Sequence, residues 1–185
     1  MDQEKTISYA AFLRGINVGG HRKIKMQELK SSLTKIGLQD IETYIQSGNV
    51  VFKSTESNLY VLRKQFEALI LDHFGFEVKV LLRNQKQVNE VLLNNPYLKG
   101  ENNELSKCYV TLLTEVPESE RAELLNAITF SHDEFYLMKD TVYLHCLDGY
   151  GRTKLSNDFF EKKLTQFATT RNWKTMLRIQ NMLSA

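Results

Sequence analysis

Gly15-Ile-Asn-Val-Gly-Gly20 follows a short apolar run and has the G-x-x-x-x-G outline of a phosphate loop, in which backbone amides cradle an anion. Arg14, Arg22 and Lys23 rim it with positive charge. The outline departs from nucleotide hydrolysis where that chemistry is most demanding. His21-Arg22 occupies the place of the lysine that reaches the terminal phosphates and of the hydroxyl that holds magnesium. A looser anion site of N–H groups and guanidinium or ammonium groups is what remains, and a tight turn with surface cations accounts for the same residues. A second glycine segment, Asp148-Gly-Tyr-Gly-Arg-Thr-Lys154, lies before a helical stretch, so its amides would also meet an anion at a helix N-terminus. Thr169-Thr-Arg-Asn-Trp173 adds a guanidinium, an amide and the single tryptophan, a residue that more often anchors a core than stacks on a ligand.

Other chemistries lack their residues. His21, His73, His132 and His145 are isolated and show no HExxH spacing. No G-x-S-x-G elbow supports a serine hydrolase. Cys108 and Cys146 have no CxxC spacing and read as two reduced core thiols; Cys146 and its neighbour His145 would point to opposite faces of a strand. No cofactor is indicated and no metal site is expected.

The elements that must position these residues follow from periodicity. Ile7 to Leu13 reads as a buried strand, and Met26, Leu29, Leu33 and Ile36 recur at helical spacing up to Gly37. Ile41 to Gln46 and Val50 to Lys53 read as strands around a Ser47-Gly48-Asn49 hairpin. A helix over Asn58 to Phe74, closed by Gly75, and a strand over Phe76 to Leu82 complete a strand-helix-strand-strand-helix-strand order, the ferredoxin-like pattern. In that topology the glycine loop, the Ser47 hairpin and the His73-Phe74-Gly75 turn share one end of the sheet. Arg14, Asn17, His21, Ser47 and Asn49 become expected neighbours.

Asn84 with Gln87 reads as a capping pair for a short helix from Gln85 to Leu93, and Lys99 to Ser106 as a polar linker. Beyond it, strand Lys107 to Leu113, a helix from Pro117 to Ile128, strands Glu134 to Met138 and Thr141 to Leu147, and a helix from Ser156 to Phe167 repeat most of the order. A final helix from Arg171 to Leu183, with Thr170 as its cap, stands where a fourth strand is due. The expected fold class is therefore α+β, with two ferredoxin-like units in tandem over 1–83 and 107–185, joined by a helix and linker over 84–106. The second unit ends in a helix rather than a clear strand. No residue identity between the halves accompanies this repeat.

Composition sets the class. The chain of 185 residues, 42% hydrophobic and 25% charged, is that of a folded globular protein. Asp2, Glu4 and the early interruption by Arg14 do not fit a signal peptide, and no apolar run approaches a bilayer span, so a cytoplasmic protein without membrane attachment is expected. The net charge of +2 is unevenly spread: six cations face one acid from Arg14 to Lys35, seven face two from Arg152 to Arg178, and six acids face one arginine from Glu115 to Glu134. Two basic blocks separated by an acidic one fit an anionic partner, and equally a solvated surface.

Tyr9-Ala-Ala-Phe-Leu-Arg-Gly-Ile-Asn-Val-Gly-Gly20, Met26 with Leu29, and Thr43-Tyr-Ile-Gln-Ser-Gly-Asn-Val-Val-Phe52 resemble the first signature of the bacterial family known as domain of unknown function 1697. Gly151-Arg-Thr-Lys-Leu155 and Thr170-Arg-Asn-Trp-Lys-Thr175 resemble its second, with Thr153 where that family has serine. The resemblance spans nearly the whole chain. It implies an α+β protein with ferredoxin-like parts and carries no mechanism. It marks Gly15 and Gly48 besides the candidate ligand-binding residues Arg14, Asn17, Gly19, Gly20, Ser47, Asn49, Lys154, Arg171, Asn172 and Trp173. The function expected first is a binding module for an anionic small molecule or RNA. Sequence-specific RNA binding is disfavoured, because Asn49 to Lys53 lacks the aromatic-rich RNA-recognition signature. The alternatives are an enzyme on a phosphorylated or carboxylated metabolite, with Ser47 or His21 in proton transfer, and an interaction domain that forms a homodimer.

Overall fold

A computed structural model describes residues 6–98 and 104–185. Asp2 and Glu4, and residues 99–103 of the polar stretch read as a linker, lie outside the described residues; Leu105–Lys107 form a short 3-10 turn. The protein is an α+β molecule with two four-stranded antiparallel sheets and six α-helices among the described residues.

In the first half, β1 (Ile7–Leu13), α1 (Met26–Thr34), β2 (Gln39–Tyr44), β3 (Asn49–Ser54), α2 (Leu59–Phe74) and β4 (Val80–Asn84) follow one another. The strand order is β2-β3-β1-β4. Alternation in β1 sends Tyr9, Ala11 and Leu13 to the face covered by Leu29 and Leu33 of α1 and by Leu62, Phe66 and Ile70 of α2. Tyr9, Phe52 and Phe66 form an aromatic chain there, with ring centroids 5.6 and 5.9 Å apart. Asn58 starts α2 by accepting from the amides of Tyr60 and Val61, and Gly75 ends it in the left-handed conformation.

The second half holds β5 (Cys108–Leu113), α4 (Ser119–Asn126), β6 (Asp133–Met138), β7 (Thr141–Cys146), α5 (Asn157–Leu164) and β8 (Ala168–Asn172), with strand order β6-β7-β5-β8. It follows α3 (Gln85–Leu93) in the chain and is followed by α6 (Trp173–Leu183). The fourth strand expected to be missing is therefore present. It escaped the sequence reading because Ala168 is its only apolar residue and because Thr170 resembles a helix cap. β8 lies at the sheet margin and pairs on one side only, and the Thr111 and Thr170 hydroxyls lie 2.7 Å apart across its ladder to β5.

The halves also share residues, contrary to the expectation of a repeat in element order alone. Tyr9 faces Asn84 and Ala10 faces Arg83 across β1 and β4; Tyr109 faces Asn172 and Val110 faces Arg171 across β5 and β8. Each arginine donates from Nη1 to the carbonyl of the preceding residue at 2.9 Å. Each asparagine caps the following helix, Asn84 through the amide of Gln87 at 2.9 Å and Asn172 through that of Thr175 at 2.7 Å. Gln87 reciprocates by accepting from the Asn84 amide at 2.9 Å, which completes the expected capping pair. Asn84→Ala and Asn172→Ala should each cost about 1 kcal/mol of stability, the usual value of such a cap, measured by urea denaturation. Equal losses would mark the caps as equivalent in energy as well as in place.

Contacts divide the chain into two compact units, Met1–Asn89 with Ile179–Ala185, and Glu90–Arg178. The boundaries fall within α3 and α6. Both cysteines are free and buried, and burial is the main cause that raises both thiols, Cys146 to about 11. Neither is set up as a nucleophile. Among the described residues no helix is long and apolar enough to cross a membrane, and no group of His, Cys, Asp or Glu is placed to hold a metal ion.

Candidate functional site

The residues of the first unit converge at one end of its sheet. β1 and β2 both run antiparallel to β3, which lies between them, so the C-terminal ends of β1 and β2 come out together, and β4 begins beside them. Three connections meet there. The Leu13 amide donates to the carbonyl of Gly48 at 2.8 Å, and the Arg14 amide to that of Lys79 at 2.9 Å. Asn17 then ties the glycine loop to the hairpin. Its Nδ2 donates to the carbonyls of Ile24 at 3.0 Å and Gln46 at 2.8 Å, and its Oδ1 accepts from the Ile24 amide at 2.9 Å. Asn17 sits at φ 54, a left-handed conformation that asparagine tolerates better than most residues. Its side chain is thus committed to shaping the loop.

The hairpin differs from the expected tight Ser47-Gly48-Asn49 turn. Asn49 already belongs to β3, opposite Tyr44, and four residues, Ile45 to Gly48, make the connection. The reason lies in two unusual residues. Ile45 is held at φ 51, a strained conformation for a β-branched side chain, and Gly48 at φ 77. Asn49 is fully buried, and its Nδ2 closes the turn by donating to the Tyr44 carbonyl at 3.0 Å and to Ser47 Oγ at 3.1 Å. Sequence reasoning missed Ile45, Gln46 and Ile24, whose parts are played by backbone geometry and backbone polar groups. An asparagine within a glycine-rich loop was the one usable signal.

The loop tip is a different environment. Gly19 and Gly20 have φ 58 and 80, and the His21 amide returns to the Val18 carbonyl at 3.1 Å. The amides of Gly19 and Gly20 donate to no acceptor among the described residues. His21, Arg22 and Lys23 are exposed beside them, as is Val18 at 66%. Arg14 is half-buried at the base of the loop.

The candidate residues of the second unit have structural employment. Arg171 is buried, with Nη1 donating to Thr169 Oγ1 at 2.8 Å as well as to the Thr170 carbonyl. Asn172 is the cap already described, and Trp173 is 3% exposed, the core role expected of it. Lys154 is exposed. Before it, Thr153 donates from Oγ1 to Asp133 Oδ2 at 2.6 Å and accepts from the Leu155 amide at 3.1 Å, which locks the second glycine segment against β6.

Comparison with known proteins places the chain beside proteins whose function is not assigned. A family model described as a protein of unknown function (DUF1697) matches residues 7–143. The conserved bacterial protein SP0830 from Streptococcus pneumoniae has a similar structure, with a TM-score of 0.73 and 25% sequence identity over 97% of this chain and 99% of that one. No curated protein matches the chain.

Proposed function

The chain belongs to the DUF1697 family of proteins of unknown function, and since membership assigns no activity, we propose from its own residues that it binds a phosphate-bearing anion at the Gly15–Lys23 loop. One observation carries the reading: the left-handed Gly19-Gly20 step leaves two amides unengaged beside the exposed side chains of His21, Arg22 and Lys23. Consecutive N–H groups in such a turn form a concavity of positive partial charge, and the side chains add full charge. Asn17 is the positioning residue, since it pins the loop to the hairpin without spending a tip amide. Ser47, exposed on the hairpin to which Asn17 ties the loop, is the candidate hydroxyl for a second contact. Lys154, Arg171, Asn172 and Trp173 lie in the other unit and have no part in this reading. Each unit is read as ferredoxin-like, supported by its βαββαβ succession and by antiparallel strand orders in which the third strand lies between the first two.

Titration calorimetry with pyrophosphate tests the proposal. Arg22→Ala should weaken binding about fivefold, the value of one exposed charge-assisted contact of about 1 kcal/mol, and wild-type affinity should fall as salt rises. Absence of binding at low salt, or equal affinity of wild type and variant, removes the reading.

A further inference from the structure

The acidic part of the chain surrounds a feature that anion binding does not use. A cavity of about 640 Å³, within the range of ligand-sized sites, is lined by Tyr97, the segment after α4 (Asn126, Ile128, Thr129 and Phe130) and residues 133–137 of β6. Direct partners in an antiparallel ladder point to the same face. Asp133, Phe135 and Leu137 oppose Cys146, Leu144 and Val142, which belong to the core cluster beneath α4 and α5. Glu134 and Tyr136 oppose His145 and Tyr143 on the other face, where Tyr97 stacks on His145 with centroids 5.6 Å apart. The cavity therefore draws its lining from both faces of one strand and wraps around that strand's outer side. Among the described residues β6 is the end strand of its sheet and pairs only with β7, so the edge turned away from β7 carries backbone N–H and C=O groups without a strand partner, on residues that line the cavity.

A space that embraces a strand edge from both faces is shaped for another extended chain, whose main chain would continue the ladder while successive side chains drop to alternate faces. Chemistry differs between the faces. One offers Ile128, Phe130 and Phe135; the other offers Tyr97, Tyr136 and the exposed Glu134 carboxylate, and among the described residues no lysine, arginine or histidine lines the cavity. Asp133 is already held by the Leu147 amide at 3.2 Å and by Thr153. Glu118, Glu120 and Glu123 on and before α4 extend the negative field. Burial and the Glu134 carboxylate both keep the Tyr97 phenol protonated.

We propose that the β6 edge takes up an extended basic segment of a partner protein as an added strand, with lysine or arginine set against Glu134 and the tyrosines, and apolar residues on the opposite face. Aromatic rings beside a carboxylate favour a cation, and the like-charged surroundings disfavour an acidic segment.

Fluorescence anisotropy of the full chain with a labelled peptide of alternating lysine and valine tests this. The peptide should bind, and a glutamate–valine peptide should not. Glu134→Lys should weaken binding about tenfold, while Glu120→Lys, which acts only through the surrounding field from outside the cavity lining, should weaken it no more than about twofold. Of two peptides N-methylated on alternate amides, the one blocked on the edge facing β6 should lose binding and the other keep it. No binding by the wild type, equal behaviour of the methylated pair, or equal sensitivity to the Glu120 and Glu134 reversals overturns the proposal. So does sedimentation showing a dimer of the chain that Tyr136→Lys dissociates, which would give the edge to a second copy.

Discussion

Gly48→Ala should lower the thermal midpoint by roughly 10 °C, while Gly37→Ala should lower it by only about a third as much. Both glycines sit at similar φ, 77 and 81, so an alanine at either pays the left-handed penalty of about 1 kcal/mol. They differ in space. A Cβ at Gly37 meets nothing within 4 Å, whereas at Gly48 it would stand 2.7 Å from Leu13 Cβ and 2.8 Å from Ile16 Cδ1. Leu13 and Ile16 are each 1% exposed and have nowhere to retreat. Overpacking of this kind costs about 2 kcal/mol more. Gly48 also presents the carbonyl that receives the Leu13 amide, so any shift that relieves the clash strains the junction of β1 with the hairpin. Differential scanning calorimetry of the two variants separates conformational strain from crowding; equal shifts would refute the crowding argument.

Asn17→Ala should cost about 3 kcal/mol and concentrate its effect in the glycine loop. Three hydrogen bonds disappear with one side chain, at 2.8, 2.9 and 3.0 Å. Ile24 is 1% exposed, so its amide loses its acceptor in a place poorly reached by water. Asn17→Gly removes the same bonds but suits φ 54, and should recover roughly 1 kcal/mol of the loss. Hydrogen exchange reads the local consequence: the Ile24 amide should exchange much faster in both variants, with amides of β5 unchanged. Full protection of Ile24 would show that Asn17 does not hold the loop.

Legibility of the sequence varied by the kind of force involved. Amphipathic spacing exposed α1 and α2, because Leu29, Leu33, Leu62, Phe66 and Ile70 all face one core. The meeting of the glycine loop and the hairpin followed from topology alone, since antiparallel order dictates which ends coincide. β8 was illegible because an end strand with one apolar residue is specified by its partner β5, a long-range interaction invisible to local pattern. The equivalence of Arg83-Asn84 with Arg171-Asn172 was hidden for a similar reason, as neighbouring residues differ and only the shared register reveals it. At the candidate site, glycines and cations were visible, whereas the strained Ile45 and the carbonyl of Gln46 were not, because side-chain identity does not report what a backbone group will do.

The division of the chain into units has a consequence for its synthesis. Ile179–Ala185 groups with residues 1–89, so the first unit is split in sequence and the second is embedded within it. A ribosome releases Glu90–Arg178 in full before it releases the residues that complete the unit begun first. The embedded unit is therefore the earlier of the two to possess all its contacts, and the N-terminal unit is finished last. Until then the unit begun first lacks the segment that is grouped with it from the far end of the chain.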